Sequence, residues 1–392
     1  MKLKCQPEDF RVTELTAFQA DGGPFALYRL TKRSIGTPEA IQQICRQLHL
    51  HRRRVCYGGL KDKHALTRQF VTIEGGPRRN FEKPGLFLEY QGQTSRHFVP
   101  HDIAGNRFQI VLRDLSEAEL QRAENGLKEV EAAGLPNYFD DQRFGSLGQS
   151  GEFIGAPWCR GDYERALWLA IADGHADDRA ADKQQKQILR ECWGQWATCK
   201  ERLERSTARS IVTFLVDHPT DFRRAFALLD VDLRGLYLSA LQSALWNRAA
   251  SSLLFDESRN ASAGGGQAAR QLRCSWGNAV FPMTLPADVQ TRLEGTQLPL
   301  PSARNLQELG VYTDLFTSLA AEFGLELREL RVKFPRDSFF SKGERSLLIL
   351  PRAMRYDSAA DDLYPGRHQL GLEFELPRGS YATILVKRIS EV

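Results

Sequence analysis

The sequence predicts an α+β fold in which a mixed, largely antiparallel sheet domain is drawn from both chain ends and a largely helical α/β domain is inserted between them. Three observations carry that expectation. Strand-like alternation dominates the first third of the chain, helical spacing with capping signals dominates residues 151 to 334, and the strand pattern returns after Pro335. With 392 residues there is length for two or three domains and for a large buried core. The expected divisions are 1–150 and 335–392 for the sheet domain and 151–334 for the insert.

The elements follow in order. "EDFRVTEL" and "PFALYRLTKR" read as strands on either side of the turn former "DGG" at 21 to 23. Thr37 is a candidate N-cap with Pro38 at the first helical position, and Ile41, Ile44, Cys45 and Leu48 recur at helical spacing. "RVCYGG" reads as a short strand entering a turn and "RQFVTIEGG" as a strand leaving it. In "NRFQIVLRDL", Phe108, Ile110 and Leu112 alternate onto one face; Ser116 and Glu119 then form a capping box for a helix that ends at Gly134. Helices prevail from Gly151 onward, including "LRGLYLSALQSALWNRAASSLLF" at 233 to 255, and the low-complexity run "ASAGGGQ" follows. "GLEFELPRGSYATILVKRI" at 371 to 389 reads as the returning strand pattern.

Composition excludes several classes. No stretch approaches the ~20 consecutive apolar residues of a membrane span. The N-terminal "MKLKCQPEDF" lacks the apolar core and cleavage site of a secretory signal, so a cytoplasmic protein is expected. Seven cysteines occur without any C-x-x-C pair, which argues against a zinc ribbon or a disulfide framework and for reduced thiols. Cys45, His49 and His51 lie close together, but without a second ligand pair they make a poor metal site. Neither a P-loop nor a G-x-G-x-x-G after a strand is present, so no nucleotide cofactor is expected. The net charge of +4 is small, yet residues 1 to 113 hold 19 Lys and Arg against 10 Asp and Glu. That basic third, with "HRRR" at 51 to 54, could follow a phosphate backbone; a solvated face is the plainer account of the same residues.

One loop carries chemistry. "GGLKDKHALTRQF" at 58 to 70 sets Asp62 between Lys61 and Lys63 on a loop between two strands. Neighbouring cations favour an ionised carboxylate, which suits a nucleophile or base better than a proton donor. Taken alone, the pattern also fits a surface turn.

Five stretches in order then point one way. "PEDFRVTE" at 7 to 14, "GLKDKHALTRQ" at 59 to 69, "NYFDDQRFG" at 137 to 145, "SALQSALWN" at 239 to 247 and "LPRGSYAT" at 376 to 383 resemble the TruD family of RNA pseudouridine synthases. The resemblance implies a pseudouridine synthase-type sheet domain with an inserted TRUD domain that contributes to RNA recognition. It implies an isomerase that breaks the N-glycosidic bond of a uridine in RNA and rejoins the base through carbon. Asp62 matches the family's catalytic aspartate and Lys4 the lysine that pairs with it. Phe10, Asn137 and Tyr381 match positions that contact substrate, and Phe139 matches the aromatic that stacks on the target base. A uridine in folded RNA must be extruded before its glycosidic bond is reached, and aromatic faces offset the lost stacking by roughly 1–3 kcal/mol per base.

Two positions depart from the family pattern. Asp140 stands where glycine is frequent, and Tyr381 where phenylalanine is frequent. The resemblance further implies tRNA as the substrate, with position 13 as the target, no metal, no cofactor and a monomer. The competing readings are a non-catalytic RNA-binding or RNA-folding protein, which would not need Asp62, and an aspartate-dependent N-glycoside hydrolase, which would need a second carboxylate.

Overall fold

The computed structural model describes residues 1–176, 178–261 and 268–391. All of "ASAGGGQ" beyond its first alanine therefore lies outside the described residues. The chain divides into two compact units, one formed by Met1–Leu135 with Ile349–Val392 and the other by Pro136–Leu348. The divisions expected at 150 and 335 fall elsewhere: residues 136–150 and 335–348 belong to the second unit, where their polar and aromatic side chains find their partners.

The first unit is built on one large sheet. Its strands are β1 (Lys2–Leu3), β2 (Phe10–Leu15), β3 (Phe25–Arg33), β4 (Val55–Tyr57), β5 (Leu66–Glu74), β6 (Phe81–Lys83), β7 (Leu86–Thr94) and β8 (Gly105–Leu115), joined by the C-terminal strands Arg352–Ala360 and His368–Pro377. The order across the sheet is Arg352–Ala360, His368–Pro377, β8, β2, β5, β3, β7, β6. Among the described residues of this sheet only β2 and β5 run parallel, with Val12 opposite Thr67, and the other pairs are antiparallel. The "DGG" turn joins β2 to β3, yet the two are not partners, since β5 lies between them. β1 and β2 both pair with β8, at Leu3 opposite Leu112 and at Phe10 opposite Ile110, so residues 4–9 must bulge off that edge and return to it.

Helix α1 (Thr37–Gln47) covers one part of the sheet: Ala40, Ile41 and Ile44 are buried with Ala26, Tyr28, Leu30, Val71, Ile73 and Leu88. Its N-cap is Gly36, one residue earlier than expected, and Pro38 is the second helical residue. The Thr37 hydroxyl is not available as a cap because it donates to Gln69 Oε1 and accepts from the Lys61 amide; Glu39 Oε2 accepts from Gly36 N instead. Helix α2 (Glu117–Ala133) starts on the expected box, with Ser116 N donating to Glu119 Oε2 at 2.7 Å, and stops at Gly134, where φ is +80°.

The stretch from 371 to 389 is only half strand. After His368–Pro377 the chain turns through "RGS" and forms the helix Ala382–Ser390. Ile and Val favour strands locally, but Ala382, Leu385, Val386 and Ile389 share one helical face, and that face is buried. The helix packs on α2, where a Cβ at Gly126 would lie only 3.1 Å from the backbone of Ile389.

The second unit is largely helical, as expected. Its longest element is Val231–Ala261, and a two-stranded antiparallel sheet pairs Ala269–Cys274 with Gly277–Pro282. The "SALQSALWN" portion of the long helix is buried at every residue from Ala240 to Asn247, which places it in the core of this unit. Among the described residues no helix is long and apolar enough to cross a membrane.

Candidate active site

Asp62 lies on the loop between β4 and β5, and buried side chains hold the backbone of that loop at Gly59, Lys61 and Asp62. Gly58 opens it under Ile103 and Phe98, where a Cβ would come within 2.5 Å of Ile103 Cδ1, so any larger residue must displace those two buried side chains. Gln69 Nε2, fully buried on β5, donates to Gly59 O at 3.1 Å. The Lys61 amide donates to Thr37 Oγ1 at 3.1 Å. Lys32, on β3 and fully buried, donates through Nζ to Lys61 O at 3.2 Å and to Asp62 O at 2.6 Å. Fixing these residues costs about 1–2 kcal/mol each in backbone entropy, and the buried hydrogen bonds offset part of that during folding rather than during the reaction.

The two flanking lysines do not face the carboxylate. Lys61 Nζ donates to Asn106 Oδ1 at 2.7 Å and pairs at 3.0 Å with Glu14 Oε1, whose side chain is fully buried on β2. Lys63 pairs with Glu39 on α1 at 3.1 Å. The cation that meets Asp62 is Lys4: its Nζ lies 3.0 Å from Oδ2, with the lysine side chain 21% and the aspartate side chain 34% exposed. Lys4 sits in the bulge between β1 and β2 with φ of +59°, a left-handed conformation that costs a non-glycine residue about 1–3 kcal/mol.

Phe10 is almost fully buried, edge-on to Phe108, which stacks on Phe374. Lys4 Nζ lies 4.2 Å from the centre of its ring, so Phe10 orients the lysine that meets Asp62. The bulge is anchored by Asp9. Its Oδ1 accepts from Arg113 Nε at 2.9 Å and its Oδ2 from Gln6 N at 3.0 Å. Burial opposes the Arg113 charge, but Asp362, Asp9 and Asp361 around it raise its pKa above the ordinary arginine value. The "PEDF" stretch therefore does structural work at Asp9 and supports the carboxylate through Phe10 and Lys4. Tyr381 is half-buried at the N-cap position of the helix Ala382–Ser390.

Asn137 and Phe139 belong to the second unit and are nearly buried there. Asn137 N donates to Leu347 O at 3.1 Å, and its side-chain Oδ1 accepts from Arg345 Nη2 at 2.7 Å. The same guanidinium lies 4.3 Å from the centre of the Phe139 ring, which meets Trp246 edge-on at 5.6 Å. Asn247 clamps the Phe139 backbone like a strand partner: its Oδ1 accepts from Phe139 N at 2.9 Å and its Nδ2 donates to Phe139 O at 2.8 Å. Asp140 has φ of −84° and ψ of 167°, ordinary extended backbone, so its replacement of glycine strains nothing.

Sequence reasoning missed Glu14, Lys32, Thr37 and Gln69 around the Asp62 loop, and Asn247 and Arg345 around Asn137 and Phe139. Glu14 and Asn247 stand inside "PEDFRVTE" and "SALQSALWN", and a lysine inside the apolar alternation of β3 is a usable signal for Lys32. Among the described residues no group of three or more His, Cys, Asp or Glu is placed to hold a metal ion.

The sequence matches the family tRNA pseudouridine synthase D (TruD) over residues 1–389. It is 32% identical to a tRNA pseudouridine synthase D of Geobacter metallireducens, covering 99% of this chain and 94% of that protein. It is 26% identical to one of Leptospira interrogans, covering 99% and 95%. The fold matches a crystal structure described as a candidate tRNA pseudouridine synthase D from Methanosarcina mazei, with a TM-score of 0.73, 23% identity, and coverage of 100% of this chain and 93% of that one. With the whole chain matched in sequence and in fold, this protein belongs to the tRNA pseudouridine synthase D family, isomerases that act on uridine in tRNA.

Proposed function

We propose that this chain converts one uridine of tRNA to pseudouridine with Asp62 as its nucleophile, position 13 being the target by resemblance to the family. The observation that carries the reading is the Lys4–Asp62 pair at 3.0 Å on a loop whose backbone is held by Lys32, Thr37 and Gln69. A carboxylate meant for attack must be ionised, aimed and accessible, and this one has a cation on one oxygen, a fixed backbone and a third of its side chain open.

In the reaction Asp62 bonds to the nucleoside, the bond from C1′ to N1 breaks, the base turns, C1′ bonds to C5, C5 gives up a proton while N1 takes one up, and the bond to Asp62 is broken again. No atom is gained or lost, so the reading calls for neither metal nor cofactor. Phe139 would stack on the extruded base, Asn137 would meet its polar edge, and Tyr381 would support the substrate. The second unit would serve RNA recognition, and the protein would act as a cytoplasmic monomer.

Asp62→Asn tests the reading. The amide keeps the shape and loses the nucleophile, so pseudouridine formation should disappear while tRNA affinity stays within about threefold. Turnover by the variant at the normal rate would end the assignment. A cleaved base in place of an isomerised one would favour the hydrolase, and binding without any product from the unaltered chain would favour the RNA-binding module.

A further inference from the structure

Lys32 is buried completely, although a lysine is among the residues least often found inside without a carboxylate partner. Its Nζ bonds no carboxylate; it donates to two successive main-chain carbonyls, those of Lys61 and Asp62. Successive carbonyls of an extended chain point to opposite sides, so one ammonium receiving both forces the loop to curl at the residue that carries the candidate nucleophile. Removing an ammonium from water costs several kcal/mol even after relaxation, and an apolar side chain of the same length would fill the space without that cost. Thr37 and Gln69, the other buried groups that hold this loop, are neutral.

We propose that Lys32 is a positioning residue for the isomerisation, its ammonium clamping the Lys61 and Asp62 carbonyls so that the Asp62 carboxylate is aimed at the nucleoside. The inference rests on the reading of Asp62 as nucleophile. The charged groups that face Lys32 are Asp62 and Lys61 on the loop and Glu39 on α1, while its partners on the neighbouring strands are the uncharged Thr67 of β5 and Leu86 of β7. Burial pushes the Lys32 pKa from its ordinary 10.5 down to about 8, with the Asp62 charge acting in the opposite direction.

The clamp therefore loses its charge just above neutrality, and turnover should fall through a limb near pH 8. The sign for stability is the reverse. Between about 8 and 10.5 the unfolded chain still holds a proton that the folded chain has released, so this group's contribution to stability grows as activity is lost. A lysine with only a structural role would not show activity falling while stability holds.

The experiment compares the full chain with Lys32→Met and Lys32→Ala in single-turnover assays on a tRNA transcript between pH 6.5 and 9.5. The expected result for Lys32→Met is a rate about 100-fold lower with tRNA affinity within about threefold, the scale of a misplaced catalytic group. Its profile should also lack the alkaline limb. For Lys32→Ala, propylammonium should restore at least about tenfold of the rate and propanol should not, because only the former returns the charged donor. A Lys32→Met rate within about threefold of the normal one, or a loss confined to tRNA affinity, overturns the proposal. Should neither variant fold, the unaltered chain decides: an alkaline limb near pH 8 with an undiminished melting temperature supports the clamp, and a flat profile overturns it. Asp62→Asn is run alongside; if it turns over normally the nucleophile reading fails, whereas an inactive Asp62→Asn beside an active Lys32→Met removes only the role of Lys32.

Discussion

Asp62 Oδ2 meets Lys4 Nζ at 3.0 Å across 58 residues of sequence, while the lysines on either side of Asp62 turn to Glu14 and Glu39. The cation in contact with the Asp62 carboxylate thus comes from the N-terminal bulge and not from the lysines of the loop. Lys4→Met should lower the single-turnover rate by about 100-fold, the usual scale for removing one charged partner of a reacting group, with little change in tRNA affinity. A rate close to normal would remove the pair from the chemistry.

Glu14 is the buried counter-ion of Lys61 and also accepts from Phe70 N at 2.8 Å. Glu14→Ala leaves a nearly buried ammonium without its carboxylate and should cost about 3–5 kcal/mol of stability. It should also lower turnover, since Lys61 is then free to compete for Asp62. Denaturant titration with a matched activity assay checks both; a loss below about 1 kcal/mol would show that Asn106 alone satisfies Lys61.

Asn247 provides both hydrogen bonds to the Phe139 backbone. Asn247→Ala removes both of these buried hydrogen bonds, at about 0.5–1.5 kcal/mol each. The expected outcome is a lower melting temperature together with a drop in turnover larger than the drop in tRNA affinity. Equal losses in both would make Asn247 a folding residue with no bearing on where Phe139 sits.

The arginine run at 52 to 54 is less uniform than its sequence suggests. Arg52 and Arg53 are both exposed, but Arg52 donates to Val55 O and lies over Tyr57, and the partly buried Arg54 donates to Glu74 O. Replacing all three by Ala should flatten the salt dependence of tRNA binding by about 0.7–0.9 in slope for each phosphate no longer neutralised. Arg53→Ala alone should give most of that change without lowering stability. Filter binding across a salt series measures it, and an unchanged slope would take this segment out of the interface.

Local periodicity and turn chemistry made β2, β3, β8, α1 and α2 legible within a residue or two, because alternation and helical spacing report directly which face of a segment is apolar. The place of Asp62 on a glycine-led loop between two strands was legible as well. The helix Ala382–Ser390 was misread where β-branched residues outweighed a spacing that already placed Ala382, Leu385, Val386 and Ile389 on one side.

By itself, then, the sequence determined the kinds of element, the family and the residue expected to attack, since each is encoded in neighbouring side chains. Only the tertiary structure decided that β5 separates β2 from β3, that Lys4 and not Lys61 or Lys63 meets Asp62, that Lys32 holds the Asp62 loop, and that Asn247 and Arg345 hold Phe139 and Asn137. Strand partners and ion pairs are settled between groups far apart in the chain, where closing a longer loop costs only about 0.6 kcal/mol per doubling and burial of specific surfaces decides among the alternatives. A local pattern of charge and hydrophobicity carries no record of that choice.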